Sequence, residues 1–332
     1  MEEKQTKNLY RKEFSKLGFI MLAITALFIG AQYLAIYLLY FLAPNLYESG
    51  SWRLLIQMLP VYLLVMPFGM WLLGRMPNVK PEKHSVKPGQ FLVMIPMAYC
   101  LIIITNYIGN IITMLIGSLK GAPVNNDLLD LTMSLNPLLS LAIVGIWGPI
   151  MEELLFRKAL AGALLRFGEG TAILLSALAF AFFHGNLNQF VYAFTLGLFL
   201  AFLYVKTGNI KITIGLHIIV NSCSGVLATE LLKLSGYMEL AQIMQEGDQN
   251  ALMEFVSARM VGLLLFVLYA VVIFALTITG VILFLVHRKK FGLRAGEIAI
   301  PKGQRFGTMF LNVGVILYCV FWAYQIVMQL LA

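Results

Sequence analysis

Apolar residues along this chain gather in long unbroken runs instead of alternating on one helix face or one strand face. A membrane span needs about 20 apolar residues. Nine runs qualify, at 17–43, 54–75, 91–117, 138–157, 171–187, 189–206, 210–233, 258–286 and 307–331. The fifth and sixth are short and separated only by the polar patch Gly185-Asn186-Leu187-Asn188. No barrel-type alternation is present, and helices satisfy their own backbone in lipid, so the expected fold is all-α: a polytopic membrane helix bundle of about nine transmembrane helices.

Composition agrees. Of 332 residues, 60% are hydrophobic and 12% charged; soluble domains carry roughly 25% charge. The net charge of +8 would point to nucleic acid in a soluble protein. Here the basic residues sit between apolar runs, so they read as topology signals and lipid contacts, and no nucleic-acid partner is expected. Lys4, Lys7, Arg11, Lys12 and Lys16 precede the first run, Arg75, Lys80, Lys83 and Lys87 follow the second, and Arg288, Lys289, Lys290 and Arg294 follow the eighth. Intervening loops are poorer in cations and carry Asp127 and Asp130, then Glu239, Glu246 and Asp248. The positive-inside rule predicts a cytoplasmic N-terminus and an outside C-terminus; the expected location is the plasma membrane. The first run is too long for a signal peptide and reads as a retained span. Cys100, Cys223 and Cys319 all lie in apolar runs without C-x-x-C spacing, so no disulfide framework is expected.

Ionisable groups inside spans are costly and mark function by default. They cluster between 152 and 230. Glu153 and Arg157, four apart, share a helix face and can pair, whereas Glu152 is rotated about 100° away. Pro149 can kink the helix just before these acids. Phe180 and His184 are again one turn apart, as are His217 and Asn221 on an otherwise apolar helix. Each group has a plain structural alternative: a solvated helix end, a packed histidine, an interhelical hydrogen bond. Spacing favours convergence. In a hairpin folded about Gly168, Glu152 lies 16 residues before the turn and His184 lies 16 after it. Both then sit at one level, roughly 24 Å from the turn. His217, about 13 Å from the turn at Thr207-Gly208-Asn209, can reach the same cavity.

These residues resemble three motifs of the CAAX protease and bacteriocin-processing (Abi) family of intramembrane endopeptidases, related to the CAAX prenyl protease. E-E-x-x-x-R matches Glu152, Glu153 and Arg157; F-x-x-x-H matches Phe180 and His184; H-x-x-x-N/D matches His217 and Asn221. The resemblance covers about 140–230. It implies hydrolysis of membrane-associated peptide bonds, in CAAX-type C-termini or peptide leaders, by a glutamate-activated water. Glu152 would be the base, His184 would hold the water, and His217 and Asn221 would stabilise the oxyanion. Glu153 and Arg157 would orient the helix. A carboxylate in a low-dielectric cavity has its charged form disfavoured, which suits a base. The family has also been described as metal-dependent, and two His with a Glu could hold zinc. The chain lacks H-E-x-x-H and spreads those ligands over separate helices, which favours no metal and no other cofactor. The expected partners are a peptide or lipidated protein substrate and membrane lipids.

The expected organisation is a cytoplasmic segment 1–16, N-terminal helices 17–135, a four-helix catalytic core 136–233, and an extracytoplasmic loop with C-terminal helices 234–332. A proton-coupled transporter would show repeats and broken helices in matching halves, which this sequence does not. A non-enzymatic scaffold or immunity protein remains the other alternative. There is no G-x-S-x-G for a serine nucleophile, and Cys223 reads as packing.

Overall fold

A computed structural model describes residues 2–124 and 132–331. Asp127 and Asp130 lie outside the described residues, as do the side chains of Lys4 and Lys7. The regular structure of the described residues is all helix, with no strand among them. Its elements are α1 (Glu2–Leu42), α2 (Pro44–Tyr47), α3 (Gly50–Gly74), α4 (Pro88–Lys120), α5 (Pro137–Phe167), α6 (Glu169–Phe183), α7 (Leu187–Thr207), α8 (Ile210–Ser235), α9 (Tyr237–Glu246), α10 (Gln249–His287), α11 (Arg305–Met309) and α12 (Val313–Leu331). Eight of these are long and apolar enough to cross a bilayer, and the shorter apolar α6 makes the ninth expected span.

Two helices begin more than two turns before their apolar runs. In α10 the Asp248 carboxylate accepts the backbone N–H groups of Asn250 and Ala251 and caps the helix start. The polar stretch from 249 therefore continues the span as helix instead of lying in a loop, and the connecting excursion shortens to α9. Likewise, α1 runs back through the basic N-terminus.

Two buried clusters organise the bundle. One joins α1, α3, α5, α6 and α12 around Ile24, Leu73, Leu155, Phe156 and Phe180. The other joins α4, α7 and α8 around Ala98, Leu200 and Leu216. Leu264, Val267, Val271 and Phe274 of α10 stay exposed and face the lipid side. Helices α1 and α12 touch at Gly18 and Gly314, where a Cβ on either would overlap the other helix's backbone. Dispersion at such close approach is a main attraction available between helices in lipid.

Helix α5 spans 31 residues, about 46 Å, longer than the hydrocarbon core. It carries wide i→i+5 turns at Leu141–Trp147 and Glu153–Ala161, on both sides of the Gly148–Glu152 segment. Pro149 lacks the N–H for one regular bond, which accounts for the first of these irregularities.

The ends of α5 to α8 next to the 165–169 and 207–210 turns are strapped. Val79 N–H donates to Gly162 O at 3.1 Å and His84 N–H to Thr207 O at 2.8 Å. From the other side, Ile298 N–H donates to Arg166 O at 2.9 Å and Glu169 N–H to Arg294 O at 3.2 Å. Gly168 turns the chain at φ +105°, and its missing Cβ lets Gly296 cross directly over it. The Glu169 carboxylate pairs with Lys206 and accepts Arg294 N–H at 2.7 Å, while Arg166 pairs with Glu13. The turn is thus covered by loop and not free in solvent.

Candidate active site

The site is assembled on α5, α6 and α8. Glu153 and Arg157 are both 0% exposed, and Arg157 Nη2 lies 3.4 Å from Glu153 Oε1. This is the pairing their spacing implied, one turn apart on a buried face. The sequence did not reveal the third member. His217 Nδ1 lies 3.0 Å from the same Glu153 oxygen, across 64 positions of chain. An ionised carboxylate only accepts hydrogen bonds, so Nδ1 carries the hydrogen. The other ring nitrogen, Nε2, faces Glu152 Oε2 at 3.7 Å.

Glu152, one residue before Glu153, is turned by about 100°. Its side chain keeps 21% exposure where Glu153 has none. Adjacent acids are thereby separated in kind: one sealed against a cation, the other facing open space. Lys158 continues the pattern and is exposed, opposite buried Arg157.

Phe180 is the platform between them, 1% exposed. The Arg157 guanidinium lies over its face, 4.4 Å from the centroid. The rings of His184 and His217 meet it edge-on at 4.8 and 5.8 Å. Phe156 packs against it from α5 at 5.4 Å. One aromatic ring thus contacts three side chains of the sequence motifs. His184 caps the C-terminus of α6, and its Nδ1 donates to Phe180 O at 2.9 Å. The Nε2 lone pair is left directed away from the helix as an acceptor. Glu152 is near enough to act electrostatically on His184, and also on Tyr62 and Tyr192.

Asn221 is held further along α8. Its Nδ2 donates to Val144 O at 3.2 Å, a carbonyl in the first wide turn of α5. The amide ties α8 to α5 about two turns before Glu152, so part of its donor capacity is already used. The Cys223 backbone oxygen accepts from Tyr269 Oη at 3.2 Å.

A zinc site needs three or four donors converging at roughly 2 Å. Among the described residues no group of three His, Cys, Asp or Glu is placed to do so. His217 Nδ1 donates to Glu153 and His184 Nδ1 to a carbonyl, which leaves the Nε2 atom of each ring open.

All seven motif residues lie inside a stretch with known relatives. Residues 134–223 match the family described as type II CAAX prenyl endopeptidase, Rce1-like. A Bacillus subtilis protein named "Putative membrane peptidase YdiL" is 33% identical over 105 residues, covering 30% of this chain and 41% of that protein. The chain thus spans less than half the length of this curated relative. No solved structure matches the chain. The family resemblance is therefore shown for residues 134–223, in an integral membrane helix bundle.

Proposed function

We propose that this protein is an intramembrane endopeptidase that hydrolyses peptide bonds of membrane-associated substrates through a water activated by Glu152. The observation that carries the reading is the split between the two adjacent acids. Glu153 is neutralised by Arg157 and accepts a hydrogen bond from His217, while Glu152 stays half-buried and unpaired by any cation at hydrogen-bonding distance. A sealed carboxylate is structural; an open one beside two imidazoles is a base.

Water binds with its hydrogens toward Glu152 and His184 Nε2. Glu152 takes one proton as the water oxygen bonds to the scissile carbonyl carbon, and the carbonyl electron pair moves onto oxygen. The pair returns, the C–N bond breaks, and Glu152 hands its proton to the leaving nitrogen. Asn221 donates to the oxyanion through its remaining N–H. His217 can do so only when Nε2 is also protonated, as an imidazolium between Glu153 and Glu152. No metal enters these steps. A substrate already anchored in the bilayer, either a lipidated C-terminus or a leader peptide, would reach Glu152 without leaving the membrane.

The test begins with comparative peptidomics of membranes with and without the protein, which supplies a cleavage sequence. Purified protein in nanodiscs should cleave that peptide, and Glu152→Gln should bind it without turnover, because glutamine cannot accept the proton. Turnover by Glu152→Gln near that of the wild type would refute the mechanism. Inhibition by chelators, reversed by zinc, would replace the glutamate-only step with a metal-bound water.

A further inference from the structure

The oxyanion is thinly served by the residues above. Asn221 already spends one N–H on Val144 O, and His217 donates only as an imidazolium. Tyr62, in α3 and outside the family match, stands on the same side of α5. It falls in a wide turn, Val61–Val65, directly after Pro60. The proline has no N–H to close a regular bond, and that irregularity presents the ring toward α5. Trp147 holds the ring by stacking, 5.9 Å between centroids at 27°.

The hydroxyl arrives at Gly148. A Cβ built there would lie 3.0 Å from Tyr62 Oη, so the glycine is what admits the group. Gly148 and Glu152 begin and end one helical segment, four apart, and share a face. The Tyr62 hydroxyl is therefore about one turn from the Glu152 carboxylate, between it and the level of Asn221. It makes no hydrogen bond among the described residues. The residue is 9% exposed, and the unpartnered hydroxyl keeps part of that exposure.

We propose that Tyr62 is an oxyanion donor of the peptidase, contributed to the α5–α8 core by the N-terminal helices. This rests on the endopeptidase reading. Its O–H needs no change of protonation to donate, unlike His217, so it serves the tetrahedral intermediate while Glu152 holds the water's proton. It also gives the helices before the family segment a chemical role.

The experiment uses the full chain in nanodiscs with a fluorogenic peptide bearing the cleavage sequence, and a phosphonate analogue of its tetrahedral intermediate. Tyr62→Phe keeps the ring and its stacking. It should lower kcat by about 10²–10³ with little change in KM, the usual effect of losing one such donor. Affinity for the phosphonate should fall in parallel. Gly148→Ala, which pushes the hydroxyl aside, should lower kcat in the wild type but add little in the Tyr62→Phe background. This second variant also decides the matter should Tyr62→Phe lose stability. Near-wild-type kcat in Tyr62→Phe, with Glu152→Gln inactive, overturns the role of Tyr62 and leaves the peptidase standing. Turnover by Glu152→Gln overturns both. A fall in kcat with unchanged phosphonate affinity, or fully additive losses in the double variant, would make Tyr62 a packing residue and refute the proposal.

Discussion

Replacing Glu153 with glutamine strands a cation inside the bundle. Both partners are 0% exposed, so Arg157 has no path to solvent once its counter-charge is gone. Breaking a buried pair by removing one partner typically costs about 3–5 kcal/mol. Two features place this site at the lower end. The guanidinium keeps its contact with the Phe180 face at 4.4 Å, and the pair's separation of 3.4 Å is longer than an optimal charge-assisted bond. A loss of about 3 kcal/mol, a factor of roughly 10² in the folding equilibrium, is expected. Glutamine still offers an oxygen to His217 Nδ1, so the variant isolates the charge from the hydrogen bond. Reversible unfolding in mixed micelles measures the change. Combining Glu153→Gln with Arg157→Met should return more than half of the lost stability, since neither charge is then stranded. A double variant as unstable as the sum of its singles would refute the coupling and the positioning role given to the pair.

The remaining expectations concern chemistry, fold and topology. His184→Ala and His217→Ala should abolish peptide cleavage in the nanodisc assay. Asn221→Ala should leave a trace, since one oxyanion donor is worth about 10²–10³ in rate; full activity in all three would dismiss the site. Gly168→Ala should lower thermal stability, because φ +105° is strained for alanine by about 1–3 kcal/mol and its Cβ would crowd Gly296; an unchanged melting temperature would show the turn to be tolerant. In a variant lacking Cys100, Cys223 and Cys319, single cysteines placed at 234–257 should react with an impermeant reagent added outside cells. Those at 75–90 and 287–306 should not, and labelling of the last loop would reverse the orientation drawn from the Lys and Arg bias.

The spans were legible in the sequence because lipid imposes a one-dimensional rule: about 20 apolar residues per crossing, whatever the neighbours. The Glu153–Arg157 pair was equally legible, since residues four apart on a helix meet without help from any other element. The three short motifs were readable as a set because all of them fall within residues 134–223, the stretch that matches the family. The contact from His217 to Glu153 was not, nor the seat of Arg157 and both imidazoles on Phe180. These depend on the rotation and axial register of α8 and α6 against α5. Packing of Leu155, Phe156 and Leu216 decides that register, and no local periodicity encodes it. The same holds for the loops at 79–84 and 294–298, which bind the hairpin tips through backbone groups that carry no side-chain signature. Tyr62 is the sharpest instance. In the chain it is one tyrosine in an apolar run, 90 positions from Glu152. Only the tertiary fold, by opposing the wide turn after Pro60 to the bare backbone of Gly148, brings its hydroxyl beside the acid.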